Sequence, residues 1–466
     1  MKKNKILNLL LLFINIILSC YCTYTVIKYS GFLNALIVIV VLAIIMGTAY
    51  ILYKKKKKVS IVILIALFII LIIGSYGAIK INGALSKITN IGEYETVQVV
   101  TLKNSNITKD SDFSKFKLAY VNSDNGAYEK SSEILKENNK KVHNSTPYKD
   151  TKTAYKKLKS KKVELMVLTN MTKSDLTSIN EDYTDEIKVI FEKKYPMKDV
   201  TLKPVDISKE PFTLYLCGAD LSSGDNINST GRGDVNILLT INPDTKKVNL
   251  QAIPRDTFVE IPSVGGRSKL SYSGWWGGVQ SSIVSIEDKF DIDINYYAKL
   301  NFNGITELVD ALGGVEVNSH YTYKAYGYTF TKGKNYVDGK KALAFARARK
   351  MLPENELSRG QHQMELIKGI FKKFAEKPNY EDAMKIIDGL SNNFSTNLPR
   401  KDFVKAFNLV VELLPQLETM ENHSVKGEYK WHYDEVRTGN YLYYYYPKES
   451  EIKRVKDDIE KIISGK

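Results

Sequence analysis

Residues 232–256 read RGDVNILLTINPDTKKVNLQAIPRD and contain two consecutive strand signals. The apolar runs 234–241 and 248–253 predict strands, and the Asn-Pro-Asp sequence at 242–244 predicts a tight turn between them. An earlier apolar run, 212–217, predicts a third strand. In open α/β sheets ligands collect where strands end, so the ends of these three strands are where a binding site is expected.

Charged side chains stand at those strand ends. Asp220 follows the first strand, the pair Arg232 and Asp234 opens the second, and Arg255 with Asp256 follows the third. Each of them, taken alone, can equally be a capping or turn residue. Their shared position at strand ends is what makes them candidates for one site.

A second group of polar residues follows a helical run at 338–345. Arg347 and Arg349 would point roughly 200° apart on a continuing helix, so they can act together only if the helix has ended. Arg359 and Gln363 are four residues apart and therefore share one face of a helix. These four side chains join the candidate set.

The candidate residues share an affinity for phosphate or for a metal that accompanies phosphate. Guanidinium groups suit phosphate oxygens, and two carboxylates are what Mg²⁺ commonly receives from a protein when phosphates supply other ligands. A ligand with several closely spaced negative charges, such as a pyrophosphate, is therefore predicted. The set comprises Asp220, Arg232, Asp234, Arg255, Arg347, Arg349, Arg359 and Gln363.

The composition excludes several classes of protein. The 466 residues carry a formal net charge of +15, but nine lysines and no acidic residue lie in the first 58, which leaves only +6 on the other 408. The basic balance therefore does not indicate nucleic-acid binding. Three cysteines are too few for a disulfide framework, and five scattered histidines lack the spacing of a zinc site.

Three uncharged stretches at the start, residues 6–27, 29–53 and 59–79, each reach the ~20 residues that cross a hydrocarbon core. We expect three transmembrane helices; the alternatives are a cleaved signal peptide and a lipoprotein box ending at Cys20. The lysine clusters place the N-terminus in the cytoplasm and the chain after residue 79 outside. The expected location is the plasma membrane, with extracellular C-terminal domains.

The pattern of strand and helix signals predicts an α/β protein with four parts. Residues 1–80 form a membrane anchor of three helices, and residues 81–95 form a polar stalk. Residues 96–205 form a small accessory α/β domain, in which strands alternate with helices and no catalytic cluster stands out. Residues 206–466 form a larger α/β domain with a central mixed sheet flanked by helices.

Five motifs of the larger domain resemble the LytR-CpsA-Psr (LCP) family in their order and spacing. The resemblance covers residues 211–374, and the anchor followed by an accessory domain resembles the streptococcal CpsA-type members, which attach capsular polysaccharide. The motifs are Gly231-Arg232-Gly233-Asp234, Ile253-Pro254-Arg255-Asp256-Thr257, Asp310-Ala311-Leu312-Gly313-Gly314-Val315, the Arg347/Arg349 pair, and Arg359 with Gln363.

The resemblance implies a phosphotransferase at the outer face of the membrane in Gram-positive bacteria. It would move capsular polysaccharide or a related glycan phosphate from an undecaprenyl-pyrophosphate carrier to peptidoglycan. Capsule assembly proteins are candidate partners, and nucleic acid is not expected. Asp220 and Asp234 would hold Mg²⁺, with Mn²⁺ as an alternative, while the five arginines would clamp the pyrophosphate and Gln363 would hydrogen-bond it.

The resemblance also implies roles for residues around the pyrophosphate. Arg255, Asp234 and Asp256 would be catalytic, Asp256 either as a general base or by orienting Arg255. The prenyl tail would lie in an apolar tunnel between sheet and helices, with candidate walls at 283–286, 305–312 and 366–371. His362 stands where members of the family commonly carry arginine, which predicts weaker or pH-dependent substrate contacts.

Three other functions stay open at the level of sequence. A membrane-bound transcriptional regulator of capsule or envelope genes would need a folded cytoplasmic part, which the predicted topology lacks. A hydrolase would use the same site but pass the glycan phosphate to water. A carrier-binding protein without catalytic activity would tolerate the loss of metal. Two aromatic features are also ambiguous: Trp275-Trp276 fits a sugar platform, a membrane-facing loop or packing, and the run 441–446 fits core and edge.

Overall fold

The chain begins with three long helices that pack against one another. The computed structural model describes residues 2–465 except 31, 90–91, 125, 199–200, 223–224, 377–385, 387–389, 391, 421 and 438–440. A buried polar contact joins the first helix to the third, because Asn15 Nδ2 donates to the Leu64 carbonyl at 3.1 Å. The helices are α1 (Lys2–Ser30), α2 (Phe32–Lys55) and α3 (Lys57–Ile88).

Helices form at all three stretches that the sequence predicts to span a membrane. In the part of the chain that the structure describes, one helix, Lys57–Gly77, is long and apolar enough to cross. The apolar stretches Leu10–Val26 and Val38–Tyr53 are shorter. Three crossings therefore stay a prediction. Helix α3 continues to Ile88, so residues 81–88 of the predicted stalk are helical.

The accessory domain is a five-stranded sheet with helices on it, in the strand order β3-β2-β4-β1-β5. Strand β2 pairs in parallel with β3 and β4, whereas β1 runs antiparallel to β4 and β5. The elements are β1 (Tyr94–Leu102), β2 (Lys117–Val121), α4 (Ala127–Glu137), β3 (Asn144–Tyr148), α5 (Thr151–Lys159), β4 (Leu165–Leu168), α6 (Asn170–Ile179), α7 (Tyr183–Glu186) and β5 (Ile187–Pro196).

The larger domain is built on a mixed six-stranded sheet, as predicted, in the order β16-β11-β6-β7-β8-β17. The pairs β6/β11 and β8/β17 are parallel and the other three are antiparallel. Its strands are β6 (Phe212–Asp220), β7 (Arg232–Asn242), β8 (Lys247–Ala252), β11 (Tyr296–Asn301), β16 (Phe394–Thr396) and β17 (Asn422–Ser424).

Helices cover both faces of this sheet because the strand side chains alternate between two cores. Leu238 packs with Ile283 and Ile286 of α8 (Leu270–Phe290) on one face. Its neighbour Leu239 packs with Met364 of α11 (Glu356–Glu376) on the other. The second face also carries α12 (Phe403–Thr419), and the first carries the C-terminal helix α13 (Glu449–Ile463).

Smaller elements complete the larger domain. Trp275 on α8 is only 3% exposed, and its ring stacks on that of Tyr272 with centroids 4.7 Å apart. Of the three interpretations of the tryptophan pair, this contact supports packing. These elements are β9 (Phe258–Ile261), β10 (Gly266–Lys269), α9 (Phe302–Ala311), β12 (Val315–Ser319), β13 (Tyr323–Ala325), β14 (Tyr328–Phe330), β15 (Gly333–Val337), α10 (Gly339–Arg347), β18 (Gly427–Tyr433) and β19 (Tyr441–Pro447).

Candidate active site

The two predicted metal ligands are joined by one arginine. A register shift after Gly218 makes Asp220 the cross-strand partner of Arg232. The Arg232 guanidinium donates through Nη2 to Asp220 and through Nε to Asp234 at 2.8 Å. The adjacent ends of β6 and β7 therefore place both carboxylates against the same cation.

Arg255 reaches Asp234 from the next strand. It lies just beyond β8, and its Nη1 donates to Asp234 Oδ2 at 2.6 Å. Burial alone would raise the pKa of the Asp234 carboxyl, but Arg232, Arg255 and Arg359 hold it below its usual value. Burial likewise raises the pKa of Asp220, which Arg232 counteracts only in part. Asp234 is therefore the more firmly ionised of the two carboxylates.

The end of helix α10 separates Arg347 from Arg349, as the sequence requires for joint action. The helix ends at Arg347, and Ala348 adopts a ψ of 127°, which leaves the helical path. The Arg347 guanidinium lies over the rings of Phe302 and Tyr326, with its Cζ 4.7 and 5.3 Å from their centroids.

Helix α11 supplies the remaining predicted residues and one acid that the sequence reasoning missed. Gln363 Nε2 donates to the Ala346 carbonyl at 3.2 Å. Glu356, three residues before Arg359, contacts that arginine and also lies 3.0 Å from Arg349 Nε. An acid three positions before an arginine at a helix start is a weak signal, because such pairs are common on solvated faces.

All eight predicted ligand-binding residues line one cavity of about 410 Å³. Six cationic side chains, the five arginines and Lys350, face two carboxylates around it. This excess of positive charge suits a ligand with several anionic oxygens. The lining comprises Asp220, Arg232, Asp234, Val235, Arg255, Phe302, Ile305, Tyr326, Leu343, Ala346, Arg347, Arg349, Lys350, Met351, Arg359 and Gln363.

Asp256 lies behind this cavity and does not line it. Its carboxylate accepts from Lys269 Nζ at 2.8 Å and from Arg349 Nη2 at 3.4 Å. Burial would raise its pKa, but Lys269 and Arg255 lower it below the usual value. Of the two roles expected for Asp256, these contacts fit the holding of arginines better than proton abstraction.

An apolar cavity of about 200 Å³ lies over the same face of the sheet. Strand β7 contributes Val235 to the charged cavity and Leu239 to the apolar one, and α11 contributes Gln363 and Phe371 in the same order. The two spaces therefore follow one another along the strand and the helix. Strand β16 and helix α12 close the apolar cavity at the edge of the sheet.

The predicted tunnel walls are only partly correct. Phe371, in the segment 366–371, lines the apolar cavity, and Ile305 lines the charged one. The segment 283–286 is not a wall, because Ile283 and Ile286 are fully buried in the core on the opposite face of the sheet. The sequence shows that these residues are apolar, but not which face of the sheet they cover.

His362 does not contribute a pH-dependent contact, contrary to the expectation from the sequence. Its ring packs against Phe345 with centroids 4.3 Å apart and lies beside Tyr323. Burial, with a smaller effect of His320, lowers the pKa of His362 to about 3. The side chain is a neutral member of the core, whereas its neighbour Gln363 faces the cavity.

The carboxylate oxygens of Asp220 and Asp234 fit a metal ion that takes its other ligands from the phosphates of a bound substrate. Within the described ranges, no group of three or more His, Cys, Asp or Glu side chains could hold a metal ion by itself. Asp220 and Asp234 both line the charged cavity, and Mg²⁺ characteristically takes one or two carboxylates together with phosphate oxygens and water.

Comparison with known proteins places the chain in a family. The model of the LytR_cpsA_psr family matches residues 166–461. The chain belongs to the LytR_cpsA_psr family. The match begins within β4 of the accessory domain and includes both cavities, so it extends beyond the motifs that carried the resemblance in the sequence.

Relatives of this LytR_cpsA_psr protein include two named polyisoprenyl-teichoic acid–peptidoglycan teichoic acid transferase TagU. The protein from Enterococcus faecalis is 35% identical over 198 residues, which cover 42% of this chain and 65% of that relative. The protein from Bacillus subtilis is 32% identical over 270 residues, 56% of this chain and 82% of that relative. The match to the crystal structure of B. subtilis TagU covers 55% of this chain and 97% of the TagU chain, with 28% sequence identity and a TM-score of 0.44.

Proposed function

We propose that this protein is a glycan phosphotransferase, which moves a glycan phosphate from a prenyl-pyrophosphate carrier to a hydroxyl of peptidoglycan. The charged cavity carries the proposal, because six cationic side chains and two carboxylates surround a space of about 410 Å³. The adjoining apolar cavity would receive part of the prenyl tail. The names of the two TagU relatives describe transfer between the same classes of donor and acceptor.

In the proposed reaction, the acceptor hydroxyl oxygen attacks the phosphorus atom that carries the glycan. A P–O bond to the acceptor forms, the P–O bond to the prenyl phosphate breaks with its electron pair on the leaving oxygen, and the hydroxyl proton passes to solvent. The arginines stabilise the negative charge on the phosphate oxygens. Correct placement of the acceptor supplies much of the remaining acceleration.

The proposed cofactor is Mg²⁺, with Mn²⁺ as the alternative, held by Asp220 and Asp234. When bound, it would neutralise charge on the pyrophosphate oxygens. Arg232 contacts both carboxylates in the structure, so we expect metal binding to compete with this guanidinium. We therefore expect the protein to bind the metal most tightly when the pyrophosphate donor is also bound.

The proposed setting is the outer face of the plasma membrane. Three spans would anchor the chain, with the N-terminus in the cytoplasm. The proposed polymer is capsular polysaccharide or a related glycan, and teichoic acid, which appears in the names of the TagU relatives, is the comparison substrate. Because the folded domains would all lie outside the cell, a role in transcription is disfavoured.

The test is a transfer assay with the full chain in nanodiscs. It receives a labelled prenyl-pyrophosphate glycan and peptidoglycan, with either Mg²⁺ or a chelator, and the label coupled to peptidoglycan is measured. We expect Arg255→Ala and Asp234→Ala to lower coupling roughly a hundredfold or more, as the loss of a preorganised charge in a transition state does. Arg454→Ala is the matched control, because that arginine pairs with Glu451 and Asp458 and lines neither the charged nor the apolar cavity.

Two results would contradict the proposal. Release of free glycan phosphate at the same rate with and without peptidoglycan would identify a hydrolase. Tight binding of the donor without turnover, unaffected by the chelator, would identify a carrier-binding protein.

A further inference from the structure

The hairpin β18–β19 carries a row of aromatic side chains on one face. Alternate residues of a strand point to the same side of the sheet. The register pairs Tyr429 with Tyr445, Trp431 with Tyr443, and Tyr433 with Tyr441 across the two strands. We call these six residues, Tyr429, Trp431, Tyr433, Tyr441, Tyr443 and Tyr445, the aromatic strip.

The outer part of the aromatic strip is exposed. Trp431 and Tyr441 are each 68% exposed and Tyr443 is 45% exposed. On the opposite face of the hairpin, Tyr444 and Tyr446 pack against the ring of Phe258. A folded protein rarely presents a contiguous aromatic surface of this kind unless something binds to it.

The inner end of the strip contacts Asp256, which lies behind the charged cavity. Tyr429 Oη lies 3.5 Å from Asp256 Oδ2, and the Tyr445 amide donates to the Asp256 carbonyl at 2.8 Å. Asp256 in turn contacts Arg349, which lines the cavity. The strip therefore runs outward to Trp431 and Tyr441 from a point that two residues, Asp256 and Arg349, connect to the cavity.

The strip lies at the opposite side of the domain from the apolar cavity and the anchor. The end of α3 adjoins β16, where Thr89 bridges Thr396, and β16 also lines the apolar cavity. The hairpin contacts the segment that follows β8, near the other edge of the sheet, through Tyr445. Four strands separate β16 from β17, a distance of about 24 Å at ordinary strand spacing.

This arrangement favours the acceptor as the occupant of the strip. Attacking and leaving oxygens lie roughly in line in phosphoryl transfer, so the acceptor must approach from the side opposite the departing prenyl phosphate. The strip bears no charged side chain, since Lys430 and Glu428 lie on the other face of β18 and pair with each other. An uncharged aromatic surface suits the apolar C–H faces of neutral sugar rings and not a polyanion.

We propose that the aromatic strip binds the glycan strand of peptidoglycan and guides its sugar hydroxyl to the charged cavity. This inference rests on the proposed function, because it assigns the acceptor of that reaction. Trp431 and Tyr441 provide the outer stacking surface, and Tyr429, which contacts Asp256 beside Arg349, marks the inner end from which the strand would continue toward the cavity.

The test combines binding with transfer kinetics in the full chain. The binding probes are a soluble oligomer of β-1,4-linked N-acetylglucosamine and purified peptidoglycan. We expect the double variant Trp431→Ala/Tyr441→Ala to weaken binding of both at least tenfold. It should raise the KM for peptidoglycan by a similar factor, while kcat and the KM for the lipid-linked donor stay within about twofold of wild type.

Two control variants separate stacking from unrelated effects. Trp431→Phe keeps an aromatic ring and should retain most of the binding. Tyr128→Ala removes an exposed aromatic side chain from the accessory domain, where Tyr128 stacks on Tyr120, and should leave binding unchanged.

Four results would overturn the inference. If the wild type transfers glycan and the double variant keeps the same acceptor KM and oligomer binding, the inference fails and the proposed function stands. A changed KM for the donor alone would assign the strip to the donor polymer. If the double variant keeps sugar binding but loses transfer only in nanodiscs of anionic lipid, the strip is a membrane contact. A wild type that binds the oligomer but transfers nothing would instead overturn the proposed function, and the acceptor role with it.

Discussion

Lys299 forms a buried ion pair with Glu93. Their side chains are 2% and 4% exposed, and Lys299 Nζ also donates to the carbonyls of Ile227 and Ser229 at 2.8 and 2.9 Å. Glu93 precedes the accessory domain, Lys299 belongs to β11 of the central sheet, and the two carbonyls belong to the loop between Asp220 and Arg232. One ion pair therefore ties the segment that leads into the accessory domain, together with the central sheet, to the loop that joins two cavity residues.

Lys299→Met should destabilise the protein strongly. It leaves the Glu93 carboxylate buried without its cation, which typically costs about 3–5 kcal/mol. The measurement is the free energy of unfolding in denaturant. The double variant Glu93→Gln/Lys299→Met removes both charges and should recover a large part of the loss. Equal losses in the single and double variants would show that the charge of Glu93 is not what destabilises the single variant.

Glu356→Gln should impair transfer without unfolding the domain. Glu356 lies behind the cavity lining and contacts both Arg349 and Arg359. Its side chain is 4% exposed. Without that charge the two arginines lose their common anchor, so we expect kcat/KM to fall at least tenfold, or about 1.4 kcal/mol of transition-state stabilisation. Glu354→Gln, two residues earlier and exposed, is the control. Activity equal to wild type would show that the arginines are held by other contacts.

Asp124 should make the stability of the accessory domain depend on pH. Burial, reinforced by Glu95, raises the pKa of Asp124 to about 8, while Thr169 and Lys130 oppose the shift and Asp175 adds to it slightly. The folded state therefore holds a proton that the unfolded state releases near pH 4, so stability falls as pH rises from about 4 to 8. In thermal unfolding, Asp124→Asn should flatten this slope and exposed Asp110→Asn should not. A wild-type melting temperature that does not fall between pH 5 and 8 would contradict the assignment.

His362 should affect acid stability but not the pH profile of activity. Its pKa, lowered to about 3, keeps the ring neutral in the folded protein, whereas the unfolded chain takes up a proton near pH 6.5. The group therefore contributes stability that is present above pH 6.5 and lost as the pH falls toward 3. His362→Phe should reduce this acid loss and leave the profile of transfer between pH 6 and 8 unchanged. A shifted activity profile would place the imidazole in contact with substrate.

Much of the fold and of the candidate site can be predicted from the sequence. The apolar runs at 212–217 and 248–253 became strands at those places, because strand formation depends on local alternation and on the turns that bound it. Arg347 and Arg349 both line one cavity because helix α10 ends at Arg347, so the two side chains no longer follow helical spacing. That the eight predicted residues bind substrate stays a prediction, but their convergence on one cavity is a property of the structure.

Other features depend on neighbours that are remote in the chain, and only the tertiary structure decides these. Periodicity marks Ile283 as apolar, but which face of the sheet it covers is decided by how α8 packs. The role of Asp256 depends on Lys269 and Arg349, the second of which lies 93 residues away. The aromatic run 441–446 predicts a strand, whereas the exposure of Tyr441 and the burial of Tyr444 follow from the packing of one hairpin face on Phe258. The local sequence specifies how often apolar side chains recur along a strand or helix. Packing against residues remote in the chain specifies which of the two faces is exposed to solvent.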